Sequence, residues 1–204
     1  MFAATLRRFD CIARVQWRWT LVPRAALALA LALLVGRFAV TPVMADLNSD
    51  WSLCWTFGTN KSKEKIAACT LVINSKRLSG DNLAIAYQQR AEGYRLLEQY
   101  DRALEDFARA IKIGPRLAYN YLNRAEIHRL KKNYDKVVED ASQAIRLDPD
   151  LNASYTIRGL AYENMKNVSA ARADYNKTLS IPVKGNDGPG AQDVARTRLK
   201  EIGN

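Results

Sequence analysis

From Leu83 onward, apolar and small residues recur at helical spacing in two runs split by a short polar turn. The first run is "LAIAYQQRAEGYRLL", the turn is "EQYD", and the second run is "RALEDFARAIKI", closed by Gly114-Pro115. A 3.6-residue period with one apolar stripe predicts two amphipathic helices packed as a hairpin. The pattern then starts again, with turns at "KNYD" and "KNVS", so hairpins are expected over 84–117, 118–151 and 152–185. Before them, "DWSLCWTF" and "KEKIAACTLVINS" flank Gly58-Thr59-Asn60 and predict one further, degenerate hairpin over 46–83. After them, "GNDGPG" reads as a loop and "AQDVARTRLKEIGN" as a polar helix that offers Val194 and Leu199 to one face, giving a loop and capping helix over 186–204.

Laid on itself, the chain repeats with a period of 34 residues. Ala84, Tyr87, Arg90, Ala91, Tyr94, Ala103, Phe107, Ala110 and Pro115 form one register. Ala118, Tyr121, Arg124, Ala125, His128, Val137, Ala141, Ala144 and Pro149 form the next. Asn152, Tyr155, Arg158, Gly159, Tyr162, Ala171, Tyr175 and Thr178 form the third, with Pro182 one place early. The length and order of these aromatic, small and Pro positions resemble the tetratricopeptide repeat (TPR). The second unit departs from that pattern at Val137 and Ala141, and the third at Thr178. The stretch "CTLVINS" followed by "RAEGY" is similar to exported bacterial TPR proteins.

The resemblance implies an all-α fold, a right-handed α-solenoid of helix–turn–helix hairpins with a C-terminal capping helix. Small residues are required where the two helices of a hairpin touch. Aromatics fill the gaps between hairpins, and no hairpin buries its own apolar face alone. By alignment, Cys69 falls in the slot of Phe107, so a disulfide to Cys54 would stand in for aromatic packing. The resemblance also implies a concave groove lined by the first helix of each unit. The positions that would meet a partner are Gln88, Glu92, Arg95, Tyr119, Leu122, Asn123, Glu126, Arg129, Thr156 and Glu163. Ile85, Gln89, Leu96, Leu130, Ala153, Ile157, Leu160 and Asn164 complete that wall. A carboxylate clamp for chaperone tails would place Lys at Gln88 and Asn at Glu92, and neither is present.

The N-terminal segment, residues 1–45, changes the reading of charge and compartment. It carries six arginines and one acid of a chain whose formal net charge is +10. Arginines precede an apolar run from Ala25 to Val35, and Val43-Met44-Ala45 fits a small-x-small cleavage site before Asp46. The run is about half the ~20 residues a spanning helix needs, and Arg37 follows closely. The expectation is a signal peptide and a periplasmic product. The alternative is an uncleaved leader anchoring the chain in the inner membrane, as an accessory subunit of a cell-wall or polysaccharide enzyme complex. Beyond the leader stand 25 basic and 20 acidic residues, interspersed, which is no nucleic-acid footprint. Cys54 and Cys69 then form an even pair, and in an oxidising compartment a disulfide is the default.

Arg90, Arg124 and Arg158 each precede an aspartate (Asp106, Asp140, Asp174) by sixteen residues. This is either a latch within or between hairpins or a row of arginines facing the groove. Chemistry is otherwise sparse. His128 is the one histidine and occupies an aromatic slot, so a packed ring is expected. There is no GxSxG, P-loop, GxGxxG or HExxH motif, and two Cys with one His do not compose a zinc set. The reading is a non-enzymatic adaptor of the cell envelope that needs no metal or cofactor. Its partner would be a peptide segment of another protein, with no nucleic acid, and a membrane only if the leader stays.

Overall fold

The computed structural model describes residues 47–55, 61–182 and 190–203. The leader, the turn expected at Gly58–Asn60 and most of the 185–190 loop lie outside the described residues. The rest is helical: α1 (Leu47–Trp55), α2 (Ser62–Asn74), α3 (Gly80–Leu96), α4 (Tyr100–Ile113), α5 (Ala118–Leu130), α6 (Tyr134–Leu147), α7 (Asn152–Asn164), α8 (Val168–Ser180) and α9 (Gly190–Ile202). Helices pair in order as hairpins α1–α2, α3–α4, α5–α6 and α7–α8, and each hairpin packs on the next. First helices also meet across hairpins, α1 with α3, α5 with α7 and α7 with α9, while the α3–α5 contact is weaker. This is an all-α solenoid whose inner wall is built from α3, α5 and α7. Two boundaries differ from expectation: α3 begins at Gly80, four residues ahead of Ala84, and α9 begins at Gly190.

The polar turns end their helices in one way. Glu98, Lys132 and Lys166 have φ near +60° (57°, 60° and 66°). The next residue's N–H then donates back to a carbonyl of the last turn: Gln99 to Tyr94, Asn133 to His128, Asn167 to Tyr162. This closure caps the orphaned carbonyls of the helix end and reverses the chain in three residues. It normally favours glycine, and a side chain at such φ costs about 1 kcal/mol or more. Three copies of a charged residue there show that the hairpins impose the geometry.

The core follows the repeat register. Ala91, Ala103 and Phe107 of the first repeat pack with Ile127 of the second. Ala125, Val137 and Ala141 of the second pack with Ile157 and Ala161 of the third. Where the second repeat has Ala141 in the aromatic slot, the branched Ile157 belongs to the same cluster and supplies bulk. The third repeat compensates in reverse: Tyr175 fills the slot, and the facing residue shrinks to Gly159. A Cβ on Gly159 would stand 2.7 Å from the Tyr175 ring, closer than carbon atoms pack. Thr178 breaks the expected Ala but buries its hydroxyl against Asn152 O, Asp174 O and Thr156 Oγ1. A hydroxyl taken out of water needs such partners.

The two ends are finished differently. At the N-terminal end Cys54 and Cys69 are joined, Cα–Cα 4.8 Å apart, and both are fully buried with Ala68. At the C-terminal end α9 buries Ala195 against Ala171 and Tyr175, with Leu199 and Ile202 beside it. The seam is therefore Ala195, Leu199 and Ile202. Val194, expected on that face, is exposed; one residue of rotation about a 3.6-period helix carries it about 100° off the seam.

Candidate functional site

Each arginine of the repeated Arg–Asp pair sits on the first helix of a hairpin and its aspartate on the second. Both oxygens of Asp106 are gripped by Arg90, at 2.7 and 2.9 Å, in a planar two-point bond. Arg124 holds Asp140 at 2.8 and 2.6 Å, and Arg158 holds Asp174 at 2.8 Å twice. The aspartate side chains are only 2–8% exposed and the arginines 11–25%. The latch is thus internal to the hairpin, and the arginines do not form a free row in the groove. Tyr87, Tyr121 and Tyr155 each lie beneath the guanidinium of their own repeat, 5.4–5.8 Å from ring centre to Cζ.

The third nitrogen of the guanidinium reaches out of the hairpin. Arg90 Nη1 donates to Thr70 Oγ1 on α2 (3.1 Å), and Arg158 Nη1 to Ser142 Oγ on α6 (3.0 Å). Thr70 and Ser142 hold equivalent places in their helices, so the degenerate hairpin is in register with the repeats. Sequence reading missed this tie; its signal was a hydroxyl residue at the matching place of two preceding helices. The intervening place is Ala108, which has no hydroxyl to offer Arg124.

The inner wall bounds two hollows. The larger, about 970 Å³, is lined by Ile85, Gln88, Gln89, Glu92 and Arg95 of α3 and by Ala118, Tyr119, Asn123 and Glu126 of α5. Trp55 closes one side; Arg116, Leu117, Leu147 and Asp148, from the links after α4 and the end of α6, close the other. The smaller, about 410 Å³, is lined by Leu122, Asn123, Glu126 and Arg129 of α5, by Ala153, Thr156, Ile157 and Leu160 of α7, and by Gly190, Ala191 and Val194 of α9. Of the ten groove positions read from the sequence, Gln88, Glu92, Arg95, Tyr119, Asn123 and Glu126 thus border the first hollow. Leu122, Arg129 and Thr156 border only the second.

One of the ten lies outside both hollows, and another, Thr156, borders the second but has its hydroxyl engaged. Glu163 lies in neither hollow: Arg198 of α9 grips its carboxylate, with Nε to Oε2 at 3.0 Å, and the Tyr175 hydroxyl donates to it at 2.9 Å. Burial alone would push this carboxyl up, but the two donors hold it below its usual range. Thr156 is buried, its hydroxyl engaged by Thr178 and by Ala191 O. Both residues fasten the cap, because α9 stands where the first helix of a fourth unit would stand. Conversely, Trp55, Arg116, Leu147 and Asp148 were not foreseen, since they reach the larger hollow from helix ends outside the first-helix wall.

The two glutamates of the wall are matched within their own helices. Arg95 holds Glu92 and Arg129 holds Glu126, each through two hydrogen bonds on one helix turn. His128 stacks into the hairpin interior, its Nε2 3.9 Å from Asp140 Oδ2. Burial depresses its basicity more than Asp140 restores it. Among the described residues no group of three or more His, Cys, Asp and Glu could hold a metal ion.

A tetratricopeptide-repeat family model matches residues 118–151 and 153–182, the second and third hairpins. Residues 118–182 are tetratricopeptide repeats. The hairpin at 84–117 lies outside that match yet carries the same latch and the same turn closure. Among solved structures, a crystal structure of MamA superimposes with a TM-score of 0.60 at 20% identity, covering 66% of this chain and 77% of that one. The first TPR of Spaghetti (RPAP3), bound to an HSP90 peptide, gives 0.54 at 19% identity, covering 61% and 94%. The second TPR domain of human RPAP3, in complex with an HSP70 peptide, gives 0.52 at 26% identity, covering 59% and 95%. No curated protein sequence matches the chain.

Proposed function

We propose that this TPR protein is a non-enzymatic interaction module of the cell envelope that holds a peptide segment of a partner along its inner wall. The observation that carries the reading is the larger hollow. It is concave, bordered by the first helices of two successive repeats, and mixes apolar surface (Trp55, Ile85, Tyr119, Leu147) with amide side chains (Gln88, Gln89, Asn123). That mixture suits an extended polypeptide, which presents side chains and unpaired backbone groups together. Solved TPR domains of the same fold have been captured with peptides from HSP90 and HSP70, which supports this use of the wall.

Export is part of the proposal. It rests on the arginine-led apolar leader, the small-x-small site before Asp46 and the Cys54–Cys69 pair beyond it. No helix among the described residues is long and apolar enough to cross a membrane. Placing a photo-reactive residue at Leu122 in the native envelope tests the binding role. A discrete crosslinked partner, lost when Tyr119 is changed to Glu, is the expected result. Sequencing the mature N-terminus tests export: Asp46 first supports it, and an intact Met1 supports the tethered form.

A further inference from the structure

Among the described residues, Trp55 is the one that α1 contributes to the larger hollow. Its ring is 40% exposed, and Tyr119, which borders the same hollow from α5, is 45% exposed. Large aromatics left open beside a concave space are the side chains that most often anchor a bound polypeptide. The position of Trp55 therefore matters to whatever the hollow takes.

Little holds Trp55 in place besides its neighbour in the chain. α1 has nine residues, too few for a helix to persist alone in water. Of its side chains from 51 to 55, only Cys54 is buried; Trp51 and Leu53 are half-buried. The Trp51 ring lies 5.6 Å from that of Trp55, a contact within α1 that ties neither to another helix. Against α3, α1 makes a slight contact; its main neighbour is α2. α2, by contrast, docks on α3 by its own means. Thr70 Oγ1 accepts from Arg90 Nη1 at 3.1 Å. Ile66 fills the space beside Gly93, where a Cβ would stand 2.7 Å from Ile66 Cγ1. The Cys54–Cys69 crosslink thus fastens a weak helix to a firm one.

Resting on the peptide-binding reading above, we infer that this crosslink licenses the larger hollow: it seats Trp55 as wall and anchor, and the chain holds its partner segment only once the two thiols are oxidised. The oxidant is a disulfide, acting by exchange. One cysteine thiolate attacks its S–S bond to give a mixed disulfide, and the second cysteine displaces it. The oxidant leaves as two thiols, carrying the two electrons and two protons given up by Cys54 and Cys69. Both cysteines are fully buried in the finished hairpin, so the link closes as α1 folds and is then shielded from reductants. The control is a single commitment on oxidation, not a reversible toggle.

The probe is a set of decapeptides selected from a randomised array with the oxidised full-length chain. Affinity and hydrogen exchange are measured for that chain, for Cys54→Ser with Cys69→Ser, for Trp55→Ala, and for the three changes together. All carry Cys11→Ser, so that no third thiol competes. Removing the crosslink and removing Trp55 should each weaken binding at least about tenfold. The three changes together should bind no more weakly than the crosslink-free chain, because Trp55 acts only where the crosslink seats it. Exchange protection in α5 and α7 should be unchanged throughout. Full affinity without the crosslink overturns the licensing role while leaving peptide binding intact. Full affinity in Trp55→Ala, or losses that add in the combined variant, overturns Trp55 as its agent. Lost protection in α5 or α7 on removal of the crosslink also overturns the inference, since the link then supports the whole stack. An array that yields no binder removes both this inference and the peptide-binding function beneath it.

Discussion

The first hairpin and the three repeats behind it solve one problem by different chemistry. In α3–α4, α5–α6 and α7–α8, a buried Arg–Asp pair ties the two helices, with a tyrosine beneath the guanidinium. In α1–α2 the Asp slot is Ala68, and the tie is the Cys54–Cys69 link one residue away. An ion pair works in any redox environment but demands complete desolvated geometry. A covalent link tolerates a poor core but exists only where thiols are oxidised. The α1–α2 hairpin has that poor core: its buried apolar cluster is Cys54, Ala68 and Cys69, without an aromatic, whereas the first and third repeats bury Phe107 and Tyr175, and the second, with Ala141 in the slot, borrows Ile157 from its neighbour. The lesson is that a repeat can lose its aromatic and its latch together if a crosslink replaces both.

The contrast can be broken experimentally at several strengths. Arg124→Ala leaves Asp140 buried and unmatched in the middle of the stack. Denaturant unfolding should show a loss of about 4 kcal/mol, felt across the repeats. Changing Cys54 and Cys69 together to Ser should cost about 3 kcal/mol in the chain-entropy account. That loss should be confined to α1 and α2 in hydrogen exchange, and mass mapping of the parent chain should find no free thiol at either position. Gly159→Ala sets a methyl against the Tyr175 ring and should cost about 2 kcal/mol by overpacking. Pairing it with Tyr175→Leu should recover part of that loss, a coupling a double-mutant cycle reads directly. Smallest of all, Lys132→Gly relieves a positive φ that the hairpin imposes, and should raise stability by about 0.5 kcal/mol in a thermal melt.

How much of this was legible beforehand depends on whether a feature repeats. The hairpin boundaries, the small-to-aromatic contacts and the Arg–Asp spacing recur with the same period, so each copy corroborates the others. Several features that occur once were lost, although the single Cys54–Cys69 pair was read from its even count. Val194 was assigned to the cap's seam from apolarity alone, whereas Ala195, nearly invisible on a hydropathy pattern, is the buried residue. Glu163 matched a groove position by phase, but its carboxylate is taken by Arg198, 35 residues away across the loop that breaks the period. Trp55 borders the larger hollow although it precedes the first clear repeat, and no periodic argument could carry it there.

Ala108 has a consequence for the rod as a mechanical object. The guanidinium-to-hydroxyl stitch present at Thr70 and Ser142 is missing at that seam, and the α3–α5 contact is the weak one of its series. Both deficits fall beneath the larger hollow. A stack of coupled units bends and opens first where neighbours are least cemented, so its pliable joint coincides with the place where a guest would need it to widen.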